Sequence, residues 1–351
     1  MNETPKKAAV VGAGIIGRSV IQALEASTNW DVVGLARRGP DFETRAEFIS
    51  VDLLDREGAA RKLAGLTEVT HYFFCGLSGG VEAENVDGNL RLLQNSLDPI
   101  ARNSAGLERV VLTQGGKYYG CQIGPHKTPS YEEDPRHMPP NFYYNQEDHV
   151  RALAEGQAWS YTMVRPEIVI GFAKGGGLLN TGSFVAMYAS ICRELGVPLH
   201  FPGTERAFTS LNKYTEAAML GEFEVWCARA PQAAGEAYNI TVGSMFRWEN
   251  LWDAFADYFG CARGRVLSFS LAAYMVDKGP VWDEIVRRHG LQPTRMEDLV
   301  NWDYADWVMT RGWDTLLDDT KRIRHGFTQV MRHEDMFFDY FDRLRGDRYI
   351  P

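Results

Sequence analysis

The hydrophobic positions of the first half fall into short apolar runs separated by stretches of helical period. Ala8-Ala9-Val10-Val11, Asp31-Val32-Val33-Gly34-Leu35, Phe48-Ile49-Ser50-Val51, His71-Tyr72-Phe73-Phe74-Cys75, Val110-Val111-Leu112 and Ser160-Tyr161-Thr162-Met163-Val164 read as six strands. Runs this short and this apolar suit parallel strands buried on both faces. The stretch after Gly17 to about Ser27 and the stretch 83–103 read as helices, the second with the apolar spacing of one that covers a sheet. Strands alternating with helices predict an α/β fold with a Rossmann doubly wound parallel sheet. The second half changes character. Helices are predicted over 182–195, 212–229, 247–259, 271–289, 312–324 and 334–345. Tryptophans 248, 252, 282, 302, 307 and 313 crowd this half, as expected of a lobe whose thin core is built from large side chains. The predicted division is a nucleotide-binding domain over 1–172, with a loop over 120–140, and a smaller, mostly helical C-terminal substrate lobe over 173–351. Segments within about 205–245 are expected to return to the sheet.

Composition narrows the partners. At 45% hydrophobic and 24% charged, the 351 residues have the balance of an ordinary globular protein. A net charge of −9 argues against a nucleic-acid surface, so any phosphate affinity must be local. No apolar run approaches the roughly 20 residues that span a bilayer, so no membrane partner is expected. The polar start Met1–Lys7 runs straight into a strand and does not read as a signal peptide. Cysteines 75, 121, 192, 227 and 261 are odd in number and scattered without CxxC spacing, which suggests free thiols and a cytoplasmic setting. His333-Glu334 opens a zinc-like HExxH, but position 337 is Phe, so no metal site is predicted. The expected partner is a small molecule, and the expected assembly a monomer or homodimer.

The first strand ends in Gly12-Ala13-Gly14-Ile15-Ile16-Gly17 and leads into a helix. That is GxGxxG in its required context: glycines for a tight turn and close backbone approach to a pyrophosphate, then a helix N-terminus to receive it. Gly12, Gly14, Ile15, Ile16 and Gly17 are therefore candidate cofactor contacts. After the second strand stands Ala36-Arg37-Arg38, where an NAD enzyme usually has an acid. Two guanidinium groups suit a 2′-phosphate, so NADPH is the expected cofactor; a solvated turn is the alternative. Asp52 and Leu53 follow the third strand at the adenine position, although Asp52 or Asp55 can equally cap a helix.

The chemistry concentrates beyond the fifth strand, in Thr113-Gln114-Gly115-Gly116-Lys117-Tyr118-Tyr119. About 25 residues rich in proline and charge follow, a length usually functional or mobile. Then Asn141-Phe142-Tyr143-Tyr144-Asn145-Gln146-Glu147-Asp148 opens a helix leading toward Ala154. Short-chain dehydrogenases usually pair tyrosine and lysine as YxxxK. Here four residues after Tyr143 stands Glu147, and four after Tyr144 stands Asp148, so that pattern fails. A tyrosine of reference pKa about 10 still needs a cation beside it to serve as a proton donor or oxyanion partner. Lys117 is the candidate, with Thr113 and Gln114 beside the cofactor and Pro166 and Ile168 against the nicotinamide. Pro166 and Ile168 read equally well as simple strand continuation. Phe184, Met187 and Tyr188 suit a core as well as a pocket.

With these two runs the sequence resembles the progesterone 5β-reductase/iridoid synthase-like family, an atypical branch of the extended short-chain dehydrogenases. The resemblance extends to Val164-Arg165-Pro166, Gly171-Phe172, Phe246-Arg247-Trp248, Pro280–Val286 and Gly326-Phe327. It implies an NADPH-dependent reductase of activated C=C bonds in enones and enals. Tyr143 would stabilise the enolate, Lys117 would support it, and Tyr144 would pack. The sequence departs from plant members at Glu167 and Ile168, where they have small or amide residues, and at Gly120-Cys121-Gln122-Ile123, which is less bulky. The substrate pocket is therefore expected to differ, and a steroid is not assumed. The competing readings are a carbonyl reductase, epimerase or dehydratase of the extended type, and an NADP(H)-sensing protein without catalysis.

Overall fold

The computed structural model describes residues 6–27, 29–79, 84–173 and 180–351. Seven strands form one parallel sheet: β1 (Lys6–Val11), β2 (Trp30–Ala36), β3 (Glu47–Ser50), β4 (His71–Phe74), β5 (Arg109–Thr113), β6 (Ser160–Pro166) and β7 (Glu236–Ile240). Their order is β3-β2-β1-β4-β5-β6-β7, the doubly wound arrangement expected, with a crossover reversal between β1 and β4. Side-chain alternation feeds two cores. Ala8, Val10, Phe73, Val111 and Val164 join one cluster, and Ala9, Val11, Phe74, Leu112 and Met163 the other. Helices Arg56–Leu63, Val86–Asn103 and Phe142–Ala154 pack in series on the second face. Ile15–Ala26 and Ala217–Arg229 pack together on the first, whose core continues into Thr181–Leu195 and the later helices.

Strand β7 was not read from the sequence. Its Glu236, Ala237 and Asn239 interrupt the apolar run, because it is an edge strand covered by loops. Asn239 accounts for much of that cover. Its amide donates to the carbonyls of Ser130 and Asp318, both at 3.0 Å, and its oxygen accepts from the Tyr119 hydroxyl at 2.6 Å. The backbone N–H of Asn239 also donates to Glu132 at 2.8 Å. The 120–140 loop is thus tied to the sheet edge, and protects it.

Three predicted helices are corrected. The stretch 212–229 is extended at Asn212, which bridges to Phe246 and Thr315, and turns helical only at Ala217, capped by Glu216. The stretch 271–289 divides into Leu271–Met275 and Gly279–His289, because Gly279-Pro280 can start a helix but not continue one. The stretch 312–324 is helical only over Thr320–Arg324; Thr315 and Leu317 pair as extended chain with Asn212 and Ser130, and the helix lies earlier, at Trp302–Thr310. The predicted start of helix 83–103 falls partly on residues 80–83, outside the described residues. Among the described residues no helix is long and apolar enough to cross a membrane.

Candidate active site

The turn after β1 is built for close approach. Gly12 has φ +97°, and a Cβ on Gly17 would sit 2.0 Å from the Gly12 carbonyl oxygen, so only glycine closes this turn without backbone displacement. Helix Ile15–Ala26 begins at Gly14, with no side chain capping its first N–H groups. Those donors and the helix dipole point beyond the carboxyl end of β1, where an anion is best held. Arg37 and Arg38 follow β2 and are exposed. Asp52 follows β3, but its carboxylate accepts from the N–H of Leu54 at 2.9 Å, and Asp55 caps the next helix. Leu53 is buried in the core, with its carbonyl accepting from Asn95, so its side chain is committed to packing.

Two other candidates have side chains hydrogen-bonded within the fold. The Thr113 hydroxyl donates to the buried Glu224 carboxylate at 2.7 Å. Gln114 has both ends of its amide engaged: the nitrogen donates to the Tyr143 carbonyl and to Glu147, and the oxygen accepts from Arg165 at 2.9 Å. Gln114 therefore ties β5 to β6 and to helix Phe142–Ala154. Pro166 closes β6, its carbonyl facing Gly115, and the Ile168 carbonyl accepts from Thr215.

Lys117 and Tyr143 do come together. Asn141 arranges this: its side-chain oxygen accepts from the N–H of Tyr143, capping the helix, while its amide donates to the Lys117 carbonyl at 2.9 Å. The Lys117 ammonium lies 3.7 Å from the Phe142 ring centroid and 5.0 Å from that of Tyr143. The Tyr143 hydroxyl lies over Gly115, 3.0 Å from where a Cβ would stand. The electrostatics differ from the sequence expectation. Lys117 forms an ion pair with Glu84, at 2.9 and 3.0 Å to the two carboxylate oxygens. Burial lowers the pKa of the Lys117 ammonium, and Glu84 opposes that. The Tyr143 phenol is pushed up by burial first, and then by the nearby Cys121, Glu84 and Glu167. Its pKa is therefore raised where the lysine was expected to lower it, and Tyr143 is a neutral O–H donor at ordinary pH.

Around this pair the motif residues form a scaffold. Tyr144 donates its hydroxyl to the Tyr118 carbonyl at 2.6 Å and accepts from the His137 N–H at 2.8 Å, pinning the 120–140 loop. Glu147 and Asp148 do not touch the reactive groups; Glu147 pairs with Arg165 and Arg151, and Asp148 with Arg136. Arg165 is 1% exposed, stacks 3.5 Å over Tyr118 and donates to Tyr119 and to the Glu132 carbonyl. Phe184, Met187 and Tyr188 lie in the core. His333 has a structural role, accepting from the Tyr214 N–H at 2.8 Å. No cluster of metal-ligating side chains occurs among the described residues.

Sequence reasoning missed three acids, Glu84, Glu167 and Glu224. Glu84 stands in a part of the sequence with no apolar period around it. Glu167 was noticed only as a departure. Glu224 sits on the buried face of a helix, and that polar residue on an apolar face was the available signal.

Residues 48–351 match the PRISE-like Rossmann-fold domain family. An (S)-8-oxocitronellyl enol synthase from Nepeta racemosa is 32% identical over 363 residues, covering 98% of this chain and 93% of its own. A 3-oxo-Delta(4,5)-steroid 5-beta-reductase from Arabidopsis thaliana is 30% identical, with coverage of 98% and 93%. A UDP-glucose 4-epimerase from Thermus thermophilus, solved in complex with NAD, superposes with TM-score 0.67 at 17% identity over 97% of this chain and 99% of that one; the likeness is one of fold. Sheet order, glycine turn and these relatives agree: the chain belongs to the PRISE-like Rossmann-fold family, within the short-chain dehydrogenase/reductase class of oxidoreductases.

Proposed function

We propose that the protein is an NADPH-dependent reductase of activated C=C bonds that carries out 1,4-reduction of enones or enals. The observation that carries this reading is the Tyr143 hydroxyl lying over Gly115, with the Lys117 ammonium 5.0 Å from the Tyr143 ring centroid, at the carboxyl end of β5. Ligands bind at that end of such sheets. The turn Gly12–Gly17 and the uncapped helix start at Ile15 suit a pyrophosphate, and Arg37 with Arg38 suit the 2′-phosphate. NADPH, when bound, would supply a hydride to the β-carbon, and the enolate would take the balancing proton at its α-carbon from solvent. Tyr143 keeps its proton and donates a hydrogen bond to the substrate carbonyl oxygen. That bond strengthens as negative charge grows on the oxygen, which is the differential stabilisation catalysis needs. Lys117 acts as a positioning residue: it holds Phe142 and Tyr143 by its cation and is held in turn by Glu84. Relatives named as an enol synthase and a steroid 5-beta-reductase support the same chemistry.

The test follows NADPH oxidation with a small cyclic enone and, in parallel, its saturated ketone, with products identified. Oxidation with the enone alone, giving the saturated ketone, is expected. Turnover of the ketone, or an allylic alcohol from the enone, would move the protein to carbonyl reduction. Tight NADPH binding with no turnover across a wide enone and enal panel would favour a sensor.

A further inference from the structure

Beyond Tyr143 the walls of the site turn polar. Glu167 and Arg311 are 4% and 3% exposed, and Oε1 of Glu167 accepts from both Nη1 and Nη2 of Arg311, at 3.3 and 3.4 Å. These bonds are long and both end on one oxygen. The other oxygen, Oε2, has no hydrogen bond and lies against Gly116, 1.7 Å from where a Cβ would stand. Gly116 adjoins Gly115, over which the Tyr143 hydroxyl lies, and the Glu167 charge reaches that phenol. On its other side Arg311 leads into Gly312 and Trp313. With Pro125, His126, Arg206 and Ser210 these line a cleft of about 370 Å³. The Arg311 charge reaches the His126 ring.

Glu167 Oε2 is buried without a hydrogen-bond partner, as are His126 Nδ1 and Nε2 and Trp313 Nε1 at the cleft. Leaving a buried polar group unpaired costs about 1–3 kcal/mol, and more for a charged one, so such atoms are few and need a reason. Stability alone is a poor reason for the Glu167–Arg311 pair, since buried ion pairs often add little over well-packed apolar residues. A carboxylate oxygen left unpaired beside Gly116, next to the glycine over which the Tyr143 hydroxyl lies, is what a polar ligand would complete.

We propose that the substrate is an oxygenated enone or enal with a hydroxyl group remote from the reacting C=C, recognised by Glu167 and Arg311. The hydroxyl donates to Oε2 of Glu167 and accepts from Arg311, while Tyr143 holds the carbonyl at the other end. A carboxylate oxygen selects a donor, and a hydrocarbon end would leave it unpaired and stripped of water. Sites built this way reject the analogue lacking the hydroxyl. The inference rests on the enone-reductase reading above.

The test uses NADPH-loaded protein and a series of 2-cyclohexenones carrying an alkyl chain, each matched by the same chain ended in a hydroxyl. The readout is the ratio of kcat/KM for the hydroxylated over the plain member within each protein. For the wild type it is expected to exceed tenfold at one chain length. Glu167→Ser should bring the ratio close to one. Should that variant not fold, Glu167→Leu combined with Arg311→Met removes the pair at similar volume and should do the same, with folding checked by NADPH binding. A wild-type ratio near one at every length, or a variant that keeps the wild-type ratio, would overturn the inference and leave the pair a structural strut. If neither member of any pair is reduced, the same paired comparison is run on acyclic enals, and no turnover there either removes the enone-reductase reading itself.

Discussion

Glu224 offers the sharpest physical test of the fold around the site. Its side chain is fully buried between helix Ala217–Arg229 and the sheet, accepting from the Thr113 hydroxyl at 2.7 Å and, more loosely, from the Cys75 thiol at 3.7 Å. No ion pair to it occurs among the described residues. Burial therefore wins over the two hydrogen bonds and raises its pKa from 4.5 to about 8. The sign follows from proton counting. Between pH 4.5 and 8 the folded protein holds this proton and the unfolded chain releases it, so stability is full below 4.5, falls as pH rises, and levels off above 8. Each pH unit in that window removes about 1.4 kcal/mol. The contribution lost by pH 7 is therefore about 3 kcal/mol, a large share of an ordinary domain's stability. Glu224→Gln keeps an acceptor for Thr113 and removes the ionisation. Urea unfolding of both proteins at a series of pH values gives the difference directly, and subtraction cancels every other titrating group. Relative to wild type, the variant should gain about 2–4 kcal/mol between pH 5 and 7.5. A difference that does not change with pH would show that Glu224 is not buried as an isolated carboxyl.

Other consequences follow from single contacts. Asn141→Ala removes a helix cap and the bond to the Lys117 carbonyl, so it should cost about 1–2 kcal/mol in denaturant unfolding and lower kcat more than it raises KM. Gly17→Ala places a methyl against the Gly12 carbonyl and should weaken NADPH binding at least tenfold by fluorescence titration. Arg37→Ala with Arg38→Ala should weaken NADPH far more than NADH; equal losses would remove the 2′-phosphate argument. His71 and His333 are held neutral by burial, each with its pKa lowered from 6.5 to about 3, so their contribution is lost as pH falls through that window. His71→Gln should flatten the acid limb of a pH–stability curve.

The sheet was legible because its central strands are apolar on both faces and each ends in a turn residue of known use. Six strands and the glycine turn follow from that pattern alone. What escaped was set by tertiary partners. β7 carries Glu236 and Asn239 because an edge strand must satisfy loops as well as a neighbour, and Asn239 alone serves Ser130, Asp318, Tyr119 and Glu132. The stretch 312–319 has helical composition, yet Thr315 and Leu317 find backbone partners in distant segments that hold them extended. The electrostatics of the reactive pair escaped for the same reason. Nothing local to Lys117 announces Glu84, 33 residues earlier, as its counter-ion.

The run Asn141–Asp148 shows why a motif can be specific without most of it being chemical. The proposed chemistry asks a reactive group only of Tyr143, whose hydroxyl lies over Gly115. Asn141 sets the helix start and holds the lysine segment, Tyr144 anchors the loop, Glu147 braces Arg165, and Asp148 holds Arg136. These residues do the work that the single helix turn of YxxxK does by spacing alone, fixing a lysine on one element against a tyrosine on another. The two arrangements differ in what they do to acidity. A lysine one turn along a helix acts on the tyrosine as a bare cation, whereas here its charge is compensated by Glu84 and the phenol stays protonated. A neutral donor suits an enolate oxygen that keeps its charge until carbon is protonated. It suits less well an alkoxide that must take a proton from the tyrosine in the same step. Under the proposed mechanism the counter-ion would favour reduction at C=C over reduction at C=O, and Glu84→Gln should shift the balance: with the lysine uncompensated, the Tyr143 pKa should fall, and the pH profile of kcat should show a basic limb at lower pH than in the wild type. An unchanged profile would mean that Glu84 positions the lysine without tuning the tyrosine.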